Sequence, residues 1–273
     1  MLEPIVRLAI AEDLGVAGDV TTDALIEPDT RGAWKLVARK AGVVAGLDAA
    51  GLAAWITDPD ILLKVRAQDG AHVGAGETIA ELEGYARSVL RAERVMLNFV
   101  GQLSGVATLT RAYVDAVAGT NAKIACTRKT TPGLRALEKR AVRLGGGLPH
   151  RYGLSDAILI KDNHIAAAGG VAPALQRAKA AVGHLMPIEI EVDSLAQLEE
   201  ALAFAPTAIL LDNFTLENLR EAVKRVDGKI PLEASGGVSL ETVRAIAETG
   251  VDVISVGALT HSAPALDVAL DTI

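Results

Sequence analysis

Ile188-Glu-Ile-Glu-Val-Asp193, then a helix-period segment from Leu195 to Phe204, then Ala208-Ile-Leu-Leu-Asp-Asn213 is the stretch that decides the fold. An apolar run ends in acids, an amphipathic helix follows, and a second apolar run ends in Asp212-Asn213. Working outward in both directions, the same unit repeats. Strands are predicted at Ala122–Cys126, Ala157–Ile160, Ile188–Val192, Ala208–Leu211, Ile230–Leu232 and Val251–Val256. Helices are predicted at Leu134–Leu144, Ala172–Val182, Leu195–Phe204, Leu216–Val226 and Leu240–Glu248. Strand alternating with helix implies a parallel sheet with crossover helices. Each predicted strand ends in polar or glycine residues: Thr127-Arg128-Lys129, Lys161-Asp162-Asn163, Glu191 with Asp193, Asp212-Asn213, Glu233 with Ser235-Gly-Gly, and Gly257. Parallel strands bring these ends to one face, as in a (β/α) barrel enzyme. Six strands are well marked and a seventh is arguable, so the expectation is an incomplete, TIM-like barrel. A doubly wound sheet is the alternative, and it would gather a ligand on one or two strand ends at its switch point.

Residues 1–105 read differently, as a separate α/β sandwich domain ahead of a barrel domain over 106–273. A helix is predicted from Glu3 to Asp13, then extended runs at Trp34–Arg39, Val43–Gly46, Ile61–Arg66 and Thr78–Glu83. A long helical stretch from about Tyr85 to Val117, interrupted near Gly101 and Gly105, carries the domain junction. A helix at the C-terminus is expected to pack back on the N-terminal domain. The segment Gln68–Gly84 has the pattern of biotinyl and lipoyl carrier domains, but no lysine lies between Val65 and Gly84.

The chain has 273 residues, a net charge of −7 and one cysteine, Cys126. An acidic chain disfavours nucleic acid as the main ligand, since that needs broad phosphate neutralisation. A single cysteine excludes an intrachain disulfide and fits a reducing compartment. With no long apolar run and a Met-Leu-Glu-Pro start, the reading is a soluble, cytoplasmic protein. Between Thr127 and Lys161 the local charge is nevertheless +6. A concentrated cation patch in an acidic chain suggests a pocket for a small substrate bearing several negative charges. Arg128 and Lys129 on their own would also fit a solvated loop pair. For Arg135, Lys139, Arg140 and Arg143, on the following predicted helix, a solvated face is as good a reading as a site role. Three glycines precede His150-Arg151. They let backbone approach a ligand, and Gly145 also reads as a helix C-cap. His164 is open between a structural and a ligand-touching role. Glu189, Glu191 and Asp193 alternate along one strand, so they should share a face, with Glu189 part of a network. Ser235-Gly236-Gly237 and Val256-Gly257-Ala258 could cradle a phosphate on backbone N–H groups ahead of helices.

Seven motifs in order resemble quinolinate phosphoribosyltransferases: Thr127-Arg-Lys-Thr-Thr-Pro-Gly-Leu-Arg, Gly145-Gly-Gly-Leu-Pro-His-Arg-Tyr-Gly-Leu-Ser-Asp, Ile160-Lys-Asp-Asn-His, Glu189-Ile-Glu-Val-Asp-Ser, Leu210-Leu-Asp-Asn-Phe, Glu233-Ala-Ser-Gly-Gly and Val256-Gly-Ala-Leu-Thr-His. Thr131 stands where the family is often apolar. The resemblance implies an N-terminal α/β sandwich and an incomplete barrel, working as a homodimer with Mg²⁺. It implies a reaction in NAD biosynthesis that joins quinolinate to 5-phosphoribosyl 1-pyrophosphate, giving nicotinate mononucleotide, carbon dioxide and pyrophosphate. Arg94, Arg128, Arg151 and Lys161 would hold the acceptor's carboxylates, with Lys129 and His150 beside them and Arg94 donated across the dimer interface. Thr127, Ser235, Gly236, Gly237, Val256, Gly257 and Ala258 would complete the substrate contacts. Lys161, Glu191 and Asp212 would carry the catalytic roles, the two acids making ribose and metal-linked contacts. Two rivals remain at this stage: a paralogue of the molybdenum-transport-associated type acting on another acceptor, and a binding protein that keeps the barrel without activity.

Overall fold

The computed structural model describes residues 2–273. The chain forms two compact units: one from the chain up to Arg111, Thr131–Gly146 and Ser262–Ile273, the other from Ala112–Thr130 and Gly147–His261.

The first unit contains helices α1 (Leu2–Leu14) and α2 (Val20–Leu25), then strands β1 (Arg31–Ala38) and β2 (Gly42–Val43). Helix α3 (Leu47–Thr57) follows, then β3 (Leu62–Val65), β4 (His72–Val73), β5 (Thr78–Tyr85) and most of the long helix α4 (Ala86–Ala116). The antiparallel sheet runs β3-β5-β1, with Trp34 opposite Leu82 in its centre. Its buried side holds Leu36, Ile79 and Leu82. A small β2-β4 ribbon stands apart. Helix α3 escapes a pattern-based reading because Ala49, Ala50, Ala53 and Ala54 are all buried among other apolar residues, leaving no polar face to set a period. It packs against α1.

Two expectations for this unit need correction. The C-terminal segment is a strand, not a helix: β12 (Val268–Thr272) pairs antiparallel with β1 and places Thr272 opposite Trp34. The long helix is continuous through Gly101 and Gly105. These glycines serve close approach. A Cβ on Gly105 would lie 2.2 Å from the Pro264 carbonyl oxygen, and the Gly101 carbonyl accepts from Leu266 N at 2.8 Å. Helix interiors tolerate glycine where backbone must come this near.

The second unit starts with β6 (Lys123–Ala125). Helix α5 (Arg135–Leu144), next in the chain, belongs to the first unit. Then come β7 (Ile158–Ile160), α6 (Asp162–Ala168), α7 (Val171–Ala181), β8 (Ile188–Val192), α8 (Leu195–Leu202), β9 (Ala208–Asp212), α9 (Leu216–Val226), β10 (Leu232–Ser235), α10 (Val243–Ala247), β11 (Val253–Ser255) and the short α11 (Ala258–His261). All six strands are parallel, in the order β6-β11-β10-β9-β8-β7. Chain neighbours are sheet neighbours from β7 to β11, and β6 returns beside β11. That order closes on itself and has no switch point, so the doubly wound alternative is excluded. The β6 to β7 seam stays open but for one parallel bridge, Ala125 to Leu148. The barrel is incomplete, with six strands among the described residues.

Alternation along the strands separates core from site. In β8, Ile188, Ile190 and Val192 are buried, while Glu189 and Glu191 on the other face are only partly so. Registers Glu191–Leu210, Glu233–Leu210 and Ser235–Asp212 put this second set on one interior surface. The aliphatic face, with Ile190, Ile209, Leu211 and Ile254 below 2 % exposed, is the hydrophobic core.

Candidate active site

The strand ends of the second unit surround a cavity of about 870 Å³. Thr127, Arg128 and Lys129 reach it from β6, His150 and Arg151 from the segment after Gly147, Lys161 and His164 from the end of β7, Glu191 from β8, Asp212 and Asn213 from β9, Glu233 and Ser235–Gly237 from β10, and Ser255, Gly257, Ala258 and His261 from β11 and α11. Leu154, Leu159 and Leu210 add apolar wall.

Four cations therefore meet in one cavity. The Nε atoms of Arg128 and Arg151 are buried without a hydrogen-bond acceptor. Arg151 spends Nη1 on the Ala157 carbonyl at 3.0 Å. Burial, and then the Arg128 charge, hold the Arg151 guanidinium below its usual pKa, against Asp156 and Glu189. Two arginines that repel each other and retain unmet donors form an anion site that only a ligand completes. Lys161 is about half exposed, and its Nζ lies 2.6 Å from Glu191 Oε2. That ion pair spans β7 and β8 at the mouth. Lys161 N donates to His164 Nδ1 at 2.9 Å. His164 thus ties down the start of α6 while lining the cavity, so both readings of it hold in geometry.

Behind the cations lies an acidic floor that the sequence reading did not assemble. His150 Nε2 is 3.2 Å from Glu189 Oε2 and 3.6 Å from Glu233 Oε2. Its Nδ1 accepts from Arg151 N at 2.8 Å, which turns Nε2 toward the two carboxyls. Burial first, and Glu189 second, push the Glu233 carboxyl up to about 7, against His150, the nearby Ser255 hydroxyl and Lys161. These three side chains converge closely enough to hold a cation. The arginines and lysines around the cavity oppose a further positive charge there. Glu189 is thus a network residue beneath the cavity, and its partners come from elements far apart in sequence, which no local spacing reveals.

The glycine loops differ from one another. Gly236 has φ +96°, and a Cβ there would lie 2.1 Å from Asn213 Oδ1. Gly257 brings its Cα close to His261 and Lys129, a Cβ being 3.1 Å from His261 Nε2. Val256 drops out of the expected cradle. Its side chain is buried, and its amide donates to the Ala125 carbonyl at 2.9 Å. Asp193 also departs from expectation: it lies beyond the end of β8, exposed, where the pleat no longer fixes its side. Of the α5 cations none lines the cavity, and Arg140 instead pairs with Asp48 and Asp69. Arg94 is exposed on α4 of the first unit.

Comparison with known proteins settles the family. Residues 19–104 match the family description "Quinolinate phosphoribosyl transferase, N-terminal domain", and residues 106–271 match the corresponding C-terminal domain. The chain belongs to the quinolinate phosphoribosyltransferase family. It is 50% identical to the nicotinate-nucleotide pyrophosphorylase [carboxylating] of Mycobacterium leprae, over 97% of this chain and 95% of that protein. It is 42% identical to a probable enzyme of the same description from Bacillus subtilis, over 99% and 93%. The solved nicotinate-nucleotide pyrophosphorylase of Francisella tularensis superposes with a TM-score of 0.96 at 40% identity, covering 100% of this chain and 96% of that one.

Proposed function

We propose that the barrel cavity joins quinolinate to 5-phosphoribosyl 1-pyrophosphate and decarboxylates the product to nicotinate mononucleotide, a step in NAD biosynthesis. The observation that carries this is the pair of arginines with unmet buried donors, Arg128 and Arg151, beside Lys129 and Lys161 in one cavity. A dianion with two adjacent carboxylates supplies acceptors for all four. Ser235, Gly236, Gly237, Gly257 and Ala258 cap the opposite strand ends, where backbone N–H groups suit a phosphate. Glu191 and Asp212 face the ribose between these two regions. Their negative charge stabilises the cationic carbon that forms as pyrophosphate leaves. Lys161 keeps Glu191 oriented through its 2.6 Å contact. Asp212 accepts from Asn213 Nδ2 at 2.7 Å with one oxygen, and the other oxygen of this partly buried carboxylate, with Glu191, would hold Mg²⁺. Such an ion would supply positive charge to offset that of the departing pyrophosphate. No side chain acts as a nucleophile, and positioning supplies much of the rate.

The working assembly in this reading is a homodimer in which Arg94 of one subunit enters the cavity of the other. The place of Arg94 on α4 supports it: its side chain is exposed, while Val95, Leu97 and Val100 on the same helix are buried. The setting is cytoplasmic, in keeping with one buried, reduced cysteine. No helix among the described residues is long and apolar enough to cross a membrane.

Acceptor choice tests the assignment. Nicotinic acid has one carboxylate and leaves part of the cation set unpaired, which costs about 3–5 kcal/mol for a desolvated charge. Nicotinate mononucleotide should form from quinolinate and only marginally from nicotinic acid under the same conditions. Comparable rates with the two acids would sink the quinolinate reading.

A further inference from the structure

Loss of carbon dioxide leaves the bonding electron pair on the ring carbon next to the newly alkylated nitrogen. That carbon must then take up a proton, or it recaptures the carbon dioxide still held beside it. A neutral acid beside that carbon can supply the proton without drawing on Lys129 or Lys161, the cations that hold the dianion.

We propose that Glu233 is this acid and delivers its proton to the ring carbon vacated by carbon dioxide. The proposal rests on the quinolinate reading of the same cavity. Glu233 sits on β10, lines the cavity with His150 and Ser255, and keeps 8 % of its side chain exposed. One ring nitrogen, His150 Nε2, faces two carboxyl groups. Glu189, at 3.2 Å against 3.6 Å, is the nearer. Glu189 therefore takes the Nε2 contact, and Glu233, the farther and more deeply buried carboxyl, is the one that burial stabilises in the protonated form. Its Oε1 and the neighbouring Ser255 Oγ are buried and meet no partner in regular hydrogen-bond geometry. The groups around it are few. β8 contributes Glu189, the segment after Gly147 contributes His150, and Lys161 acts from the end of β7. At its own level β9 offers Leu210 and β11 offers Val253, both uncharged. Burial and Glu189 already hold the acid up to about 7, and a bound dianion raises it further.

The step balances. The bond from the ring carbon to its carboxylate breaks, the pair stays on carbon, and carbon dioxide leaves. The O–H bond of Glu233 then breaks and its proton bonds to that carbon. Glu233 is left as a carboxylate, which water reprotonates once product has gone.

Glu233→Gln in the full-length enzyme separates the two halves of the reaction. Pyrophosphate release from quinolinate and the phosphoribosyl donor should stay within a few-fold of wild type. Nicotinate mononucleotide should form roughly 10²- to 10⁴-fold more slowly, the usual contribution of a positioned acid. A mononucleotide that still carries both carboxylates should accumulate. A mutant that makes nicotinate mononucleotide at the wild-type rate overturns the proposal. So does one that loses both steps in equal measure, which would mark Glu233 as a binding or folding residue. If that variant does not fold, the wild-type enzyme decides. Breakdown of the dicarboxylate intermediate should slow tenfold per pH unit above the Glu233 value in the complex, and a rate flat from pH 6 to 10 refutes a neutral acid donor. A wild-type enzyme that releases no pyrophosphate from these two substrates overturns the activity itself, and the role of Glu233 with it.

Discussion

At the residue scale the site is a balance of unmet charges. Arg128 and Arg151 repel each other, and Glu233 is buried beside Glu189. Both arrangements destabilise the free protein and are relieved by ligand or by a proton. The cost at Glu233 has a definite pH dependence. Its carboxyl titrates near the ordinary 4.5 when unfolded and at about 7 when folded, so the native state holds an extra proton between these values. Stability therefore falls as pH rises through that window and stays lowered above it. Glutamine has the same shape and no charge to bury. Glu233→Gln should melt at about the wild-type temperature near pH 4.5. At pH 8 it should be more stable by roughly 1–3 kcal/mol. Melting curves across this range check the claim, and a difference independent of pH would show that Glu233 titrates normally. The residues that sequence alone identified are those at strand ends, Arg128, Lys129, Lys161, Glu191 and Asp212, because topology forces strand ends together. The His150–Glu189–Glu233 floor was not legible, since it joins three separate stretches at distances that depend on barrel curvature.

At the element scale the short loops carry strain that the strands and helices over-determine. Gly236 occupies φ +96° against the Asn213 side chain, whereas Gly237, at φ +60°, faces open space. Gly236→Ala must therefore pay a left-handed backbone and displace Asn213, the neighbour that donates to Asp212. A loss of roughly 1–3 kcal/mol in stability and a raised KM for the phosphoribosyl donor are expected. Gly237→Ala should lose about 1 kcal/mol, with no displacement of Asn213. Equal effects at the two positions would mean that the loop adapts freely. A second contrast lies in the helices. Gly105→Ala meets the Pro264 carbonyl at 2.2 Å and should unfold the first unit at markedly lower temperature. Gly51→Ala, inside α3 with nothing within 4 Å, should stabilise by roughly 0.5–1 kcal/mol. Reading Gly101 and Gly105 as helix breaks went wrong for the same reason: local propensity is a weak prior, and a close backbone neighbour from residues 262–273 reverses its meaning. Helix α6 was missed because Lys161-Asp-Asn-His reads as a polar strand end, and only the His164 contact to the Lys161 amide shows a helix starting there.

At the scale of the whole molecule, the barrel unit brings four cations and three site carboxylates to one cavity, while Arg94 belongs to the other unit. The barrel was legible because strand and helix alternate with a regular period. The return of β12 to the N-terminal sheet was not, since Val268-Ala-Leu-Asp-Thr272 is too short and mixed to specify a partner so distant in sequence. The dimer reading makes a demand that single-site variants cannot meet. An Arg94→Ala subunit keeps a complete barrel and lacks the arginine that it should lend. A Lys161→Ala subunit lacks the barrel cation, leaves Glu191 without its 2.6 Å partner, and still lends Arg94. Each homodimer should be nearly inactive, falling roughly 10²- to 10³-fold, as when one preorganised electrostatic contact is removed. In a mixed dimer the barrel of the Arg94→Ala chain meets the intact Arg94 of its partner, which restores one site of the two. Random pairing makes half of the dimers mixed, so unfolding, mixing and refolding the two variants should recover about a quarter of wild-type activity. Thermal melts of each variant must first match wild type closely. If heterodimers form and the mixture stays as inactive as its parents, Arg94 serves its own subunit or stands outside the site.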